Sequence, residues 1–219
     1  FDLMKEVDFS NSKMPNITSL KSFFSGTDCE KVSLNNVEAP SIIDFTNLFV
    51  SSDIKIVDMS GMSIENATSL SSITGSGVFD TIDMSGMNIS NVTKISNFGS
   101  AEINFLNLSN MTMGSLTSLA SAFRYLGAKK VDFTGFDTSK VTDMSDMFEC
   151  TEFLTTIDLS NFDTSNVTNM LGMFSSCKTL KKLDLSMLDM SKVKRMTQMF
   201  SGCENLEQLD ISAFTFSSS

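Results

Sequence analysis

Seven aspartates, Asp8, Asp58, Asp83, Asp132, Asp158, Asp184 and Asp210, recur in one short setting: an apolar residue, Asp, an apolar residue, then Ser or Thr. Carboxylates set in register by such a repeat can do one of two things. They gather a cation or a basic partner, or they form a solvated ladder in which neighbouring hydroxyls donate to them and fix the pairing of strands. Hard cations need several convergent oxygens. Carboxylates about 5 Å apart repel by roughly 0.8 kcal/mol in water, so something must offset the column. The adjacent Ser residues can donate to it, and Lys130 and Lys182 stand two residues before Asp132 and Asp184. The expectation is a solvated, hydrogen-bonded ladder that sets strand register, with carboxylates that titrate high if the column is electrostatically strained; Asp83, Asp132, Asp158 and Asp184 are candidate binding residues.

The thiols form a second set. Cys150, Cys177 and Cys203 are spaced 27 and 26 residues apart, which reads as another column. Zinc motifs use paired short spacings such as C-x2-C, and none is present. Buried, reduced cysteines that pack the interior are expected, with no metal site and no disulfide framework; Cys29 stands outside the column. The chain has no His and no Trp, so the commonest general base and transition-metal ligand is missing. No catalytic residue and no cofactor are expected.

These residues are positioned by a repeat. The segments centred on residues 8, 33, 58, 83, 107, 132, 158, 184 and 210 are separated by 25, 25, 25, 24, 25, 26, 26 and 26 residues. Each alternates with period two, as a strand with one buried face does: Val7 and Phe9 point in, Glu6, Asp8 and Ser10 out. Val167, Met170 and Phe174 then follow at i, i+3, i+7, the spacing of a helix face. Ser139, Ser165 and Ser191 are candidate N-caps, and Gly202 a helix stop. One such unit cannot bury its own apolar side, whereas stacked units can. The residues therefore predict an α/β solenoid of about nine coils, with a parallel strand face and short helices opposite. Phe24, Phe49, Phe123, Phe148, Phe174 and Phe200 would form an inner column, and Met59, Met84, Met144 and Met170 would also face inward. Residues 1–130 carry divergent repeats of 24–25 residues and 131–212 regular repeats of 26, all within a single solenoid spanning 1–219. Because it opens within a repeat, the chain reads as a fragment of a longer protein.

Composition narrows the partners. With 16 basic against 26 acidic residues the net charge is −10, which disfavours nucleic acid, whose affinity rests on Lys and Arg neutralising phosphates, and anionic membrane surfaces. No apolar run approaches the ~18 residues needed to cross a membrane, so no membrane insertion is expected. The N-x-Ser/Thr tripeptides, such as that at Asn166, follow from the repeat's own Asn-Val-Thr step.

From Phe136 the chain reads FDTSKVTDMSDMFEC and from Phe162 FDTSNVTNMLGMFSSC, each leading into an L-x-x-[IL]-D-L-S strand. This resembles the bacterial surface-protein 26-residue repeat, the BspA-like branch of the leucine-rich repeats, over residues 131–212. The resemblance implies a leucine-rich-repeat-like right-handed superhelix in a secreted or surface-anchored bacterial protein used in adhesion or host contact. It supplies no catalytic residues. Phe136, Phe162 and Leu188 stand where ordinary leucine-rich repeats carry a buried Asn ladder, so packing must fill that turn.

The expected function is binding through the strand face to a protein on a host or neighbouring cell. A glycan is less favoured, since sugar sites usually offer aromatic platforms and Trp is absent. A structural spacer is the alternative, and an enzyme the least supported reading. Among the outward positions two residues before the Asp column, Ile56 and Phe105 are the apolar ones, with Thr81 between them; they are candidates for a small apolar contact patch.

Overall fold

The computed structural model describes residues 4–212 and 214; Phe1–Leu3, Ala213 and residues 215–219 lie outside the described residues. The period-two segments form strands: β1 (Glu6–Asp8), β2 (Lys31–Ser33), β3 (Ile56–Asp58), β4 (Ser69–Ser71), β5 (Val78–Asp83), β6 (Lys94–Ser96), β7 (Glu102–Asn107), β8 (Gly127–Asp132), β9 (Lys182–Asp184) and β10 (Gln208–Asp210). The main sheet runs β1-β2-β3-β5-β7-β8, all parallel, and β9 pairs with β10 in the same sense. Its register is the one the repeat predicts: Val7 pairs with Val32, Val32 with Val57, Val57 with Ile82, Ile82 with Leu106 and Leu106 with Val131.

Two further ladders complete each coil. One passes through Lys13, Glu38, Ser63, Asn88 and Thr112. The other joins β4 to β6 and continues through Ser118, Asp143, Asn169 and Arg195. The architecture is a parallel β-solenoid of about eight turns, not the nine coils expected, because nine strand positions bracket only eight full turns. At residues 156–158 the strand is reduced to one bridge, Thr156 to Lys182.

The expected helices are absent: no described residue is helical. The segment after Ser165 shows why. Met170, Gly172, Phe174 and Ser176 donate their N–H groups to Arg195, Thr197, Met199 and Ser201 of the next coil. Between them, Met173, Ser175 and Cys177 donate back to Met170, Gly172 and Phe174, closing successive turns. A helix would consume these groups internally and leave none for the neighbouring coil. Gly172 and Ser176, at φ of 58° each, lie in the left-handed region that a right-handed helix excludes. Inward residues at i, i+3 and i+7 thus fit a run of turns as well as a helix. Ser139, Ser165 and Ser191 are not helix caps; their N–H groups donate to Asp137, Asp163 and Asp189 two residues earlier. Gly202, at φ 75°, closes a turn, not a helix.

The interior follows the expected columns. Phe24 stacks on Phe49, Phe123 on Phe148, Phe148 on Phe174 and Phe174 on Phe200, with ring centroids 5.5–6.1 Å apart. Phe98 joins the column beside Phe123. Met59, Met84, Met144 and Met170 are buried. Phe136 and Phe162 are buried and stacked at 6.1 Å, and Leu188 is buried, so packing fills the turn as anticipated.

Candidate functional site: the strand face and its acidic edge

The outward side of the main sheet carries three rows. The middle row places Glu6, Lys31, Ile56, Thr81, Phe105 and Lys130 in direct register, with Thr156, Lys182 and Gln208 in line beyond the break. Ile56 and Phe105 therefore flank Thr81, and both are half-buried. The ammonium of Lys130 sits 5.3 Å from the centre of the Phe105 ring, close enough for a cation–π attraction. Lys31 pairs with Glu6 at 2.9 Å.

The second row is the aspartate column. Asp58 and Asp83 lie side by side in register, as do Asp184 and Asp210; Ser33 and Asn107 fill the degenerate positions. Every member that carries a side-chain oxygen acceptor of the Asx type closes a turn. Oδ1 of Asp8, Asp58, Asp83, Asn107, Asp132, Asp158, Asp184 and Asp210 accepts the N–H of the residue two positions on, at 2.7–3.1 Å. Strand ends are where such turns compete best with the ladder.

This geometry reverses the expected titration. The backbone N–H of Thr134 and of Ser160, then their hydroxyls, hold Asp132 and Asp158 below the ordinary carboxylate range. In Asp8 and Asp184 the hydroxyls of Ser10 and Ser186 lead and the backbone N–H groups follow, with the same direction. Repulsion from Asp132 does raise Asp158, but it is the smallest contribution there. Hydrogen bonds to the charged form outweigh the neighbouring charge, since donors at contact distance act more strongly than a solvated carboxylate one coil away.

The third row lies on the opposite edge, one residue before the middle row: Lys5, Glu30, Lys55, Asp80, Asn104, Lys129, Thr155, Lys181 and Glu207. Sequence reasoning passed over it because the alternation breaks there: the N–H groups of Glu30 and Lys31 both donate to the Lys5 carbonyl, and those of Asp80 and Thr81 both to Lys55, so two successive residues are left on the outer side. Lys129 is held by Glu102 at 2.8 Å and by Asn104 at 2.8 Å, while no ion pair is found for Lys5, Lys55 or Lys181 among the described residues.

Where the main sheet breaks, the face opens into a groove of about 770 Å³ bounded by Thr156, Asp158, Lys182, Asp184, Glu207 and Asp210, with Leu209 exposed at its end. A smaller hollow of about 210 Å³ adjoins it between Asp132 and Asp158. Thus the structure brings Asp158 and Asp184 to one groove, sets Asp132 with Asp158 in the adjoining hollow, and leaves Asp83, Ile56 and Phe105 further along the same face. Among the described residues no group of three or more His, Cys, Asp or Glu side chains is disposed to hold a metal ion.

The thiol column needs a correction. Cys177 and Cys203 stack, each thiol donating to a carbonyl, Phe148 and Phe174 respectively, at 3.0 Å. The position above Cys177 is held by Thr151, whose hydroxyl donates to the Cys177 sulfur at 3.2 Å. Cys150 lies one residue out of column, at φ 58°, in the corner where Ser176 and Gly202 stand in later coils. The spacing of 27, against 26 for the repeat, marks that slip. Contact with Cys203 and burial push the Cys177 thiol well above its ordinary value. All four cysteines are free.

No helix of the described residues is long and apolar enough to cross a membrane. Residues 117–219, just under half of the chain, match the family model described as Mycoplasma protein of unknown function, DUF285. No curated protein and no solved structure shows a significant match. The repeat seen from Phe136 onward is therefore similar to that Mycoplasma repeat family over its regular half.

Proposed function

We propose that this chain is a non-catalytic binding module of a bacterial secreted or cell-surface protein, and that the strand face is where it contacts a protein partner. The observation that carries the reading is the middle row. It sets Ile56 and Phe105 on an in-register surface, rims them with Lys31, Lys130 and the aspartate column, and holds the backbone beneath them by parallel pairing. A rigid apolar centre with a charged rim is the usual anatomy of a protein contact. The surface and adhesive setting comes from the resemblance of residues 131–212 to bacterial surface repeats, and the lack of His argues against acid–base catalysis at this face.

Protein and glycan arrays probed with the wild type and with the Ile56→Ser/Phe105→Ser double variant test this. Capture of a protein by the wild type, lost in a variant of unchanged melting temperature, supports it. Equal capture by both places the contact elsewhere, and capture of nothing favours a spacer.

A further inference from the structure

The two edges of the strand face carry opposite charge in the same coils. On one edge stand Lys5, Lys55, Lys129 and Lys181; on the other, three residues further along the same strands, stand Asp8, Asp58, Asp132 and Asp184. Three residues of extended chain separate the rows by about 10 Å. A surface built this way is complementary to itself. We propose that the strand face binds a second copy of itself about a two-fold axis parallel to the solenoid axis, so that the lysine edge of each copy lies over the aspartate edge of the other. This rests on the reading of the strand face as the contact surface and names its partner.

The symmetry follows from the rows. A two-fold along the solenoid axis sets each coil against its own counterpart. Four coils then place Lys over Asp, twice each, with the Lys129 ammonium shared with Glu102 and Asn104 of its own chain, and a fifth sets Asn104 over Asn107. Ile56 meets Ile56 and Phe105 meets Phe105 along the centre line, an isologous apolar seam. Two coils oppose the pattern, Asp80 over Asp83 and Glu207 over Asp210; Asp80 already accepts a hydrogen bond from Asn104 at 3.0 Å. Of the three middle-row lysines that would also face their own counterparts, Lys31 is tied to Glu6 and Lys130 lies on Phe105, which leaves Lys182 against Lys182 as a third opposing position. The alternative two-fold, running along the strands, would turn the whole aspartate column against itself, at a cost no other row offsets.

The size of the face sets the strength. Eight turns at about 4.8 Å each make a strip about 38 Å long, and with a width of about 10 Å it buries roughly 800 Å² over both partners. That lies below standard interfaces and in the class of weak, transient contacts. Charge pairs at a rim contribute orientation and salt dependence more than affinity. The dimer should therefore be weak and should loosen as salt is raised.

Sedimentation equilibrium at low and high salt tests this with two charge-reversed variants, Lys55→Asp/Lys181→Asp and Asp58→Lys/Asp184→Lys. The wild type should dimerise reversibly, and each variant alone should associate about tenfold or more weakly. Mixed in equal amounts, the two should form a heterodimer, because every reversed edge then meets opposite charge. Should loss of the turn-closing aspartates prevent folding, Asp58→Asn/Asp184→Asn keeps the acceptor oxygen and should still weaken the wild-type dimer. A wild type monomeric at every concentration overturns the proposal, as does a dimer that survives both reversals or a mixture that fails to associate. The broader reading fails separately. If the wild type is monomeric yet its array capture depends on Phe105, the face binds a foreign protein and only the self-pairing is wrong.

Discussion

The ring of Phe148 lies on that of Phe174 with centroids 5.7 Å apart and planes 7° from parallel. The two residues are 26 apart in sequence, one coil apart in space, and both are fully buried. Phe123 continues the stack on one side and Phe200 on the other, so each inner ring is sandwiched while Phe200 is covered on one side and only half-buried. Phe148→Ala should cost about 3–5 kcal/mol of stability, and Phe200→Ala clearly less, as read from urea midpoints. Equal losses would mean that the column does not share its packing along the stack.

The aspartate column should behave as a set of turn-closing acceptors. Asn107 already performs this role naturally, accepting from Ser109 at 3.1 Å. Asp158→Asn, which keeps the acceptor but loses the charge, should therefore cost clearly less than Asp158→Ala, which removes the acceptor for the Ser160 N–H and should cost about 1 kcal/mol. Thermal melts of the two variants side by side decide this; equal destabilisation would assign the role to charge and not to the hydrogen bond.

How much of this the sequence disclosed depends on which backbone groups the residues report. Strand register was legible because Val7, Val57 and Ile82 alternate with outward polar residues, and a slip of one would expose them. Ile56 and Phe105 were found for the same reason. The region after Ser165 was misjudged because side-chain spacing describes which residues face in, not where the N–H groups go. The left-handed positions Asp146, Cys150, Gly172, Ser176, Gln198 and Gly202 recur in pairs four residues apart. Only Gly172 and Gly202 advertise themselves by type. The aspartate column and its Ser donors were legible, but the high titration expected of a strained column left out the backbone N–H that each carboxylate also accepts.

Acid should loosen the fold through those same carboxylates. Asp8, Asp132, Asp158 and Asp184 have folded-state values lowered from the ordinary one, as do Asp163 and Asp189, which accept from Ser165 and Ser191. A lowered value means that the contribution is present above the unfolded carboxylate range and lost as pH falls through it toward the folded value. The melting temperature should hold from neutrality to about pH 5 and decline below about pH 4. A melting temperature that rises on acidification would show that repulsion along the column governs after all.

The thiols should react in an order set by position. Cys177 is fully buried with its thiol bonded to the Phe148 carbonyl, and Cys29 is buried. Cys150 and Cys203 are half-buried. Native labelling followed by mass spectrometry should modify Cys150 and Cys203 first, and Cys177 and Cys29 only on unfolding. Early modification of Cys177 would contradict its place inside the stack.

The central claim is that the strand face, and no other, is the contact surface. Phe105→Ser alters its middle row; Ile43→Ser alters an exposed residue, 61% accessible, beside Asp44, which bridges Ser19 of the neighbouring coil away from the strand face. Binding per folded molecule, measured by titration for both variants against the wild type, compares the two faces directly. The account predicts that Phe105→Ser keeps its melting temperature within a few degrees while losing binding, and that Ile43→Ser binds as the wild type does. Binding lost in Ile43→Ser and retained in Phe105→Ser would contradict it.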